Sequence, residues 1–367
     1  MKRLACSAIV FCLILSAVSA YNPPAYGDSF LELSSPRQLT NGSSVTGGGL
    51  FYANPESMIT NPALTAKEQR VDLNFAYTGL VSSNKENSIR YGNAFQGGIL
   101  IPFKWAVFSG YANATMIPFK EMNLKDSFNF KFGLAKEITD KLTVGTNLNS
   151  GIFWGADTDW NLSANLGFVY EYGNLAFMKD FRYGVSVLNL GKNFANTTLI
   201  GIDPEKKVSS LPNVATVKAG VAGTLVKNDV IQLGASFDLT TPLFQNVIAD
   251  LGLQFAVKEM LYINVSEKLN IAELSHGIKN VMPSVGLSFR FTFDVKNNEY
   301  LNKNGWSQNE MSASVAWKQF DSTINAVSAG VDIALGLKDE TPPIIELWLD
   351  EDDAEDIQPI PVVGDAK

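Results

Sequence analysis

Cysteine is nearly missing. The 367-residue chain has two, Cys6 and Cys12, and both fall inside an apolar leader, so the chain left after its removal is expected to carry neither a disulfide nor a thiolate site. Histidine occurs once, as His276, and no His or Cys pair has metal-ligand spacing. Ser275 precedes His276 without a Gly-x-Ser-x-Gly elbow, and adjacent residues rarely face each other. No glycine-rich loop between a strand and a helix offers a phosphate cradle. An enzyme, a metal site and a cofactor are therefore not expected. Charge is scarce at 18%, against roughly 25% in a soluble globule. After the leader there is no apolar run of the roughly 20 residues that a membrane helix needs, so any membrane insertion has to use strands. Closed barrels are the other spanning solution, because hydrocarbon leaves unpaired backbone groups without partners.

What is present fits that solution. Residues 1–20 combine Lys2 and Arg3, an apolar stretch and Val18-Ser19-Ala20, which reads as a secretory signal cleaved after Ala20. Aromatics are plentiful, with 23 Phe, 11 Tyr and 6 Trp beside 29 Gly, yet the mean hydropathy is only +0.04. A wall that is greasy on one face and wet on the other averages to such a value. From Val71 the apolar residues Val71, Leu73, Phe75 and Tyr77 alternate with Asp72, Asn74, Ala76 and Thr78, a period of two. The pattern recurs near 70–81, 93–102, 105–116, 127–137, 141–154, 159–172, 181–190, 214–226, 229–241, 245–257, 260–269, 283–294, 308–320 and 323–335. Fourteen strands of about ten residues are what an outer-membrane barrel uses. The phase is clean: Phe128, Phe130 and Phe132 fall on one face, while Lys131, Arg290, Asp250, Glu171, Asp72 and Asp332 fall on the other, where charge costs little. A soluble sandwich would bury the apolar set instead. Trp105, Trp160 and Trp317 sit near strand ends, as an interfacial girdle would.

The remaining segments divide the chain into a leader (1–20), a plug (21–69), a barrel (70–336) and a tail (337–367). The plug lacks alternation but holds Phe30, Leu31, Leu33, Leu50, Phe51, Tyr52, Met58 and Ile59, too many apolar groups for a solvated arm. Helical turns are expected at 55–58 and 62–67, each opened by Asn-Pro as cap and first residue. Connections at 103–104, 139–140, 227–228 and 258–259 are short, whereas 82–92, 117–126, 191–213 and 270–282 are long. Only 295–307 breaks this parity: either a strand is miscounted or that turn is elaborated. The tail from Lys338 has ten acidic residues and two lysines, while the body from Tyr21 to Leu337 balances 25 basic against 27 acidic. A nearly neutral body argues against a nucleic-acid partner.

Asn61-Pro62-Ala63, placed after a Gly-rich segment and just before the first strand, resembles the hatch turn of the FadL family of outer-membrane transporters for long-chain fatty acids and other hydrophobic compounds. The resemblance runs from about Tyr21 to Leu335 and is nearest to a spirochaetal branch. It implies an all-β fold, a transmembrane antiparallel β-barrel of about 14 strands with an N-terminal plug, located in the bacterial outer membrane and surrounded by its lipid. It also implies passive uptake of long-chain fatty acids or similar hydrophobic molecules. Asn61, Pro62 and Ala63 would then fix or gate the hatch. Leu50, Phe51, Met58 and Ile59 would offer apolar contacts, and Lys67, Arg70, Lys131 or Arg290 a cation for the acid group. Val185–Gly191 resembles a strand end before a long loop, with Asn189 and Gly191 as turn geometry, and Leu211-Pro212 leads into the next strand. Ser328-x-Gly330-x-x-Ile333-x-Leu335 resembles the address read by the barrel-assembly machinery, though without a terminal aromatic. The alternative is a barrel that serves as a binding or assembly platform for secreted or periplasmic proteins, with residues 339–367 docking a periplasmic partner through Ile344, Ile345, Leu347 and Trp348.

Overall fold

Each alternating segment pairs with its sequence neighbours until the last one meets the first. The computed structural model describes residues 21–336, apart from 31, 41–43, 120–124, 155–157, 195–200, 207, 209–210, 213, 279, 296–297 and 304. The expected leader and the acidic tail lie outside the described residues. The strands are β1 (Val71–Ser82), β2 (Tyr91–Pro102), β3 (Val107–Ile117), β4 (Lys125–Glu137), β5 (Leu142–Trp154), β6 (Thr158–Leu175), β7 (Met178–Lys192), β8 (Thr216–Lys227), β9 (Ile231–Thr241), β10 (Ile248–Val257), β11 (Leu261–Asn270), β12 (Ser284–Asp294), β13 (Gln308–Asp321) and β14 (Ile324–Leu335). All pairings are antiparallel, and β1 pairs with β14 from Val71↔Leu335 to Ser82↔Ile324, which closes the barrel. Closure removes the unpaired sheet edge that an open sheet would present.

All fourteen expected strands form. Short α-helices lie at α1 (Gly27–Phe30), α2 (Pro36–Leu39), α3 (Ile271–Ser275) and α4 (Glu299–Lys303). The last of these resolves the parity break, because the β12–β13 connection is a turn elaborated by α4 and no strand was miscounted. The end of the barrel carrying the long loops also has one tight turn, the two residues between β13 and β14.

The faces divide as the alternation requires. Along β1, Asp72, Asn74, Thr78 and Ser82 are buried while Phe75, Tyr77 and Val81 are exposed. Asp250 and Asp332 are buried on the same inward phase, with Lys131, Glu171 and Arg290 partly so. Leu148, Phe168, Leu251, Leu287 and Phe289 join the exposed set. Water would penalise this inside-out arrangement and hydrocarbon rewards it, at roughly 25 cal/mol per Å² of apolar surface removed from water. A sandwich with its apolar residues in a shared core is thereby ruled out. Trp105 and Trp160 are exposed close to strand ends.

The described residues of the stretch 22–70 are mostly buried and pack against the inward face of the wall. Leu33, Leu39, Met58, Ala63 and Leu64 are at most 1% exposed, so this stretch is no solvated arm. Its two Asn-Pro turns form where expected but as 3-10 rather than α-helices, at Pro55–Ile59 and Pro62–Lys67. Toward the long-loop end, Tyr26, Leu33 and Leu39 pack with Leu80, Ile117, Phe320 and Ile324 of the wall, with Phe119 of the β3–β4 loop and with Leu211 of the β7–β8 loop.

Candidate functional site: the lumen and its inner segment

A chain that crosses a barrel without joining its sheet brings backbone groups that need partners. The inward polar side chains of the wall supply them. Arg182 of β7, 2% exposed, donates from Nε to Thr46 O at 2.8 Å and from Nη2 to the carbonyls of Gly48 and Gly49. That loop is left-handed at Gly47 (φ +83°) and Gly48 (φ +89°), a conformation glycine adopts without strain. Asp238 of β9 accepts from Val45 N–H and Ser44 Oγ, both at 2.9 Å. Gln254 of β10 accepts from Leu50 N–H at 2.8 Å, Asn147 of β5 donates to Met58 O at 2.7 Å, and Ser186 of β7 donates to Thr60 O at 2.7 Å.

Asn61, Pro62 and Ala63 press on the wall between β5 and β6. Asn61 Oδ1 accepts from Ala63 N–H at 3.0 Å, and its Nδ2 donates to Val45 O at 2.8 Å and to Phe168 O at 3.0 Å. The side chain thus caps its own turn and ties it to the wall. Opposite it, Gly145 pairs with Gly167 across β5 and β6. A Cβ on Gly145 would fall 2.5 Å from the Pro62 carbonyl carbon, and one on Gly167 would fall 2.0 Å from Asn61 Oδ1. Removing the cap and both ties through Asn61→Ala is expected to cost about 1–2 kcal/mol of seating. Protease cutting within residues 44–67 of the detergent-solubilised protein should accelerate several-fold; a cutting rate equal to that of the unaltered protein would count against the hatch-fixing role.

Between the inner segment and the long loops lies a cavity of about 90 Å³. Its apolar lining comes from Ile59, Leu188, Ile248 and Pro212, and its polar lining from Asn113, Asn129, Asn149, Asn161, Lys131, Lys218, Lys268 and Glu32. Lys131 stands between Tyr111 and Asn149 in the ladder, and among the described residues it has no carboxylate at ion-pair distance. Asn149 Oδ1 and Asn161 Oδ1 are buried and lack hydrogen-bond partners among the described residues. Burial alone would raise the Glu32 carboxyl pKa, but Lys218, Lys268 and Lys318 outweigh it and hold it below the usual carboxylate range.

The expected ligand residues are dispersed. Ile59 and Lys131 line this cavity. Leu50 and Arg290 line a second cavity of about 50 Å³ on the β10–β14 side, where the Arg290 guanidinium lies between the Tyr52 and Tyr262 rings, 4.5 and 4.7 Å from their centroids. Arg290 also pairs with Glu310 at 3.1 Å. Phe51 packs against Ala63, Leu64 and Val169 under Arg182, and Met58 is fully buried. Lys67 is committed to Glu137 at 2.5 Å and Glu171 at 3.1 Å. Arg70 is committed to Glu68 and Glu310.

One expectation is corrected. Ser275 and His276 do meet, with Oγ 3.2 Å from Nδ1. Nδ1 is also 2.8 Å from Ala272 O, which can only accept, so this nitrogen carries the proton and cannot serve as a base toward the hydroxyl. Sequence reasoning passed over Glu32, Lys218 and Lys268. The signal was there for the lysines, as charges on the inward phase of β8 and β11.

No family model matches the sequence, and no curated protein matches it. Solved structures do share the fold. A monoaromatic hydrocarbon channel, CymD, superposes with a TM-score of 0.53 at 12% identity over 85% of this chain and 99% of that one. The toluene transporter TbuX of Ralstonia pickettii gives 0.50 at 12% identity over 84% and 99%. A mutant of the monoaromatic hydrocarbon channel TodX gives 0.50 at 12% identity over 81% and 98%.

Proposed function

We propose that this chain is an outer-membrane channel of the FadL kind for passive uptake of hydrophobic molecules bearing an acid group, long-chain fatty acids among them. The observation that carries it is the cavity that joins Lys131 to Ile59, Leu188 and Ile248 above the inner segment. An ammonium with no counter-ion among the described residues, set beside amide groups, suits a carboxylate head, and the adjoining aliphatic side chains suit the start of its tail. Lys67, Arg70 and Arg290 are less suited, because their charges are already matched. The inner segment acts as a plug that keeps the lumen from leaking, with Asn61-Pro62-Ala63 fixing it to the wall. The exposed apolar wall faces outer-membrane lipid, and β14 presents its Ser328–Leu335 pattern to the assembly machinery. The shared fold supports the reading, since the similar structures are described as hydrocarbon channels or a toluene transporter. The platform alternative draws no comparable support: Val185–Gly191 is ordinary wall with positive φ at Asn189 and Gly191, and the tail lies outside the described residues.

The test is uptake of a fluorescent fatty acid by cells that make the protein. A buried charge-assisted hydrogen bond contributes about 1.5–3 kcal/mol, so Lys131→Met is expected to cut uptake about tenfold or more. Uptake of an uncharged hydrocarbon should stay as it was. Fatty-acid uptake that persists at full rate in the variant would remove Lys131 from the site.

A further inference from the structure

The cavity holds two more lysines, and one of the two carboxylates they share comes from the plug. Lys268 of β11 is hydrogen-bonded through Nζ to Glu32 Oε2, and Lys218 of β8 lies 3.5 Å from Glu32 Oε1. Asp250 stands at 3.7 Å from Lys218 and 3.6 Å from Lys268, at ion-pair rather than hydrogen-bond separation. Asp238 is 3.8 Å from Lys218 and already accepts from Ser44 and Val45. Of the ion pairs described for these two lysines, the shortest is in each case the one to Glu32 of the inner segment. Next to Glu32, Leu33 is buried in the cluster that anchors the plug to the long-loop end, so what happens to the carboxylate is felt by the plug.

We propose that Glu32 is a built-in stand-in for the ligand's head group. It occupies the Lys218–Lys268 seat when the channel is empty, and an incoming carboxylate takes those lysines over and frees the plug around it. The inference rests on the reading of this cavity as the ligand site. Lys131, with no carboxylate at ion-pair distance among the described residues, makes the first contact, and the exchange at Lys218 and Lys268 completes it. The exchange is noncovalent, one carboxylate for another on the same donors. An alcohol or a hydrocarbon cannot make it, because expelling Glu32 without a replacement anion would take from Lys218 and Lys268 the carboxylate they share with the inner segment and leave that charge uncompensated in a buried place. The plug thereby favours ligands that carry an acid group over uncharged ones.

The experiment measures dodecanoate and 1-dodecanol binding to the purified full chain in detergent, with heat-modifiable migration reporting the barrel. Glu32→Gln keeps the shape and removes the competing charge. It is expected to bind dodecanoate about tenfold more tightly, the size of one charge-assisted hydrogen bond, with dodecanol unchanged. Adding Lys218→Met and Lys268→Met should abolish the gain. Should Glu32→Gln fail to close its barrel, Glu32→Asp keeps the charge but shortens the reach, and the same preferential gain for dodecanoate is expected. Equal dodecanoate affinity in the variant and the unaltered protein, or an equal gain for both compounds, overturns the proposal. If Lys131→Met weakens dodecanoate binding while Glu32→Gln changes nothing, only the stand-in falls. If Lys131→Met also binds as before, the reading of the cavity falls with it.

Discussion

A valine at Gly145 is expected to unseat the plug while leaving the barrel intact. The Cβ would enter 2.5 Å from the carbonyl carbon of Pro62 and 2.6 Å from the Ala63 nitrogen. Both are backbone atoms, so no side-chain rotation relieves the clash. The strand cannot retreat, being laddered to β4 on one side and to β6 on the other. Overpacking of this kind costs about 1–3 kcal/mol when neighbours can adjust and more when they cannot. Valine itself favours a strand, which separates the two effects: Gly145→Val should keep heat-modifiable migration and raise small-sugar permeation into liposomes by at least about tenfold. Gly79→Val on β1 is the control, because a Cβ there meets nothing nearer than the Tyr77 ring at 3.7 Å. Permeation in Gly145→Val indistinguishable from that control would show that the Asn61–Ala63 contact does not hold the plug.

Arg182→Met, two strands away on β7, should loosen the same inner segment with a larger effect. The guanidinium is the shared partner of the carbonyls of Thr46, Gly48 and Gly49 and lies over the Phe51 ring at 5.0 Å. Methionine retains the apolar stem but leaves three acceptors with no donor in a buried place. Each hydrogen bond to a charged group contributes about 1.5–3 kcal/mol, and the three are not additive, so about 3 kcal/mol or more of plug seating is at stake. That converts to a population of unseated plug raised on the order of 100-fold. Limited proteolysis should open a new cut among residues 44–52, and planar-bilayer recordings should show more frequent openings. Unchanged cutting together with unchanged openings would mean that Asp238 and Gln254 hold the loop without Arg182.

The barrel was legible because it is a local pattern. Alternation along Val71–Tyr77 or Phe128–Phe132 places each side chain on a face by the pleat alone, and antiparallel neighbours need only short turns to find each other. The two Asn-Pro turns were legible for the same reason, since cap and first residue are adjacent. Their 3-10 form was not. The elaborated 295–307 turn could not be told from a missing strand by length alone. Ser275 and His276 show the converse failure, in which a rule about adjacent residues yields to one short helix that lets both side chains reach Ala272 O.

What the residues determined unaided is the strand count, the greasy outer and wet inner faces, and a leading segment too apolar to stay in water, all of which follow from the two-residue period of a pleated backbone. Which cations remain open to a ligand was decided only by the tertiary structure. Lys67, Arg70, Lys131 and Arg290 are alike as letters. Glu137 and Glu171 meet Lys67, and Glu310 meets both Arg70 and Arg290, through pairings that span 20 to 240 positions or close around the barrel. Charge balance inside a cylinder is set by neighbours across the lumen and across the ladder, and a plug threaded through it adds carboxylates such as Glu32 at places that no periodicity along the chain records.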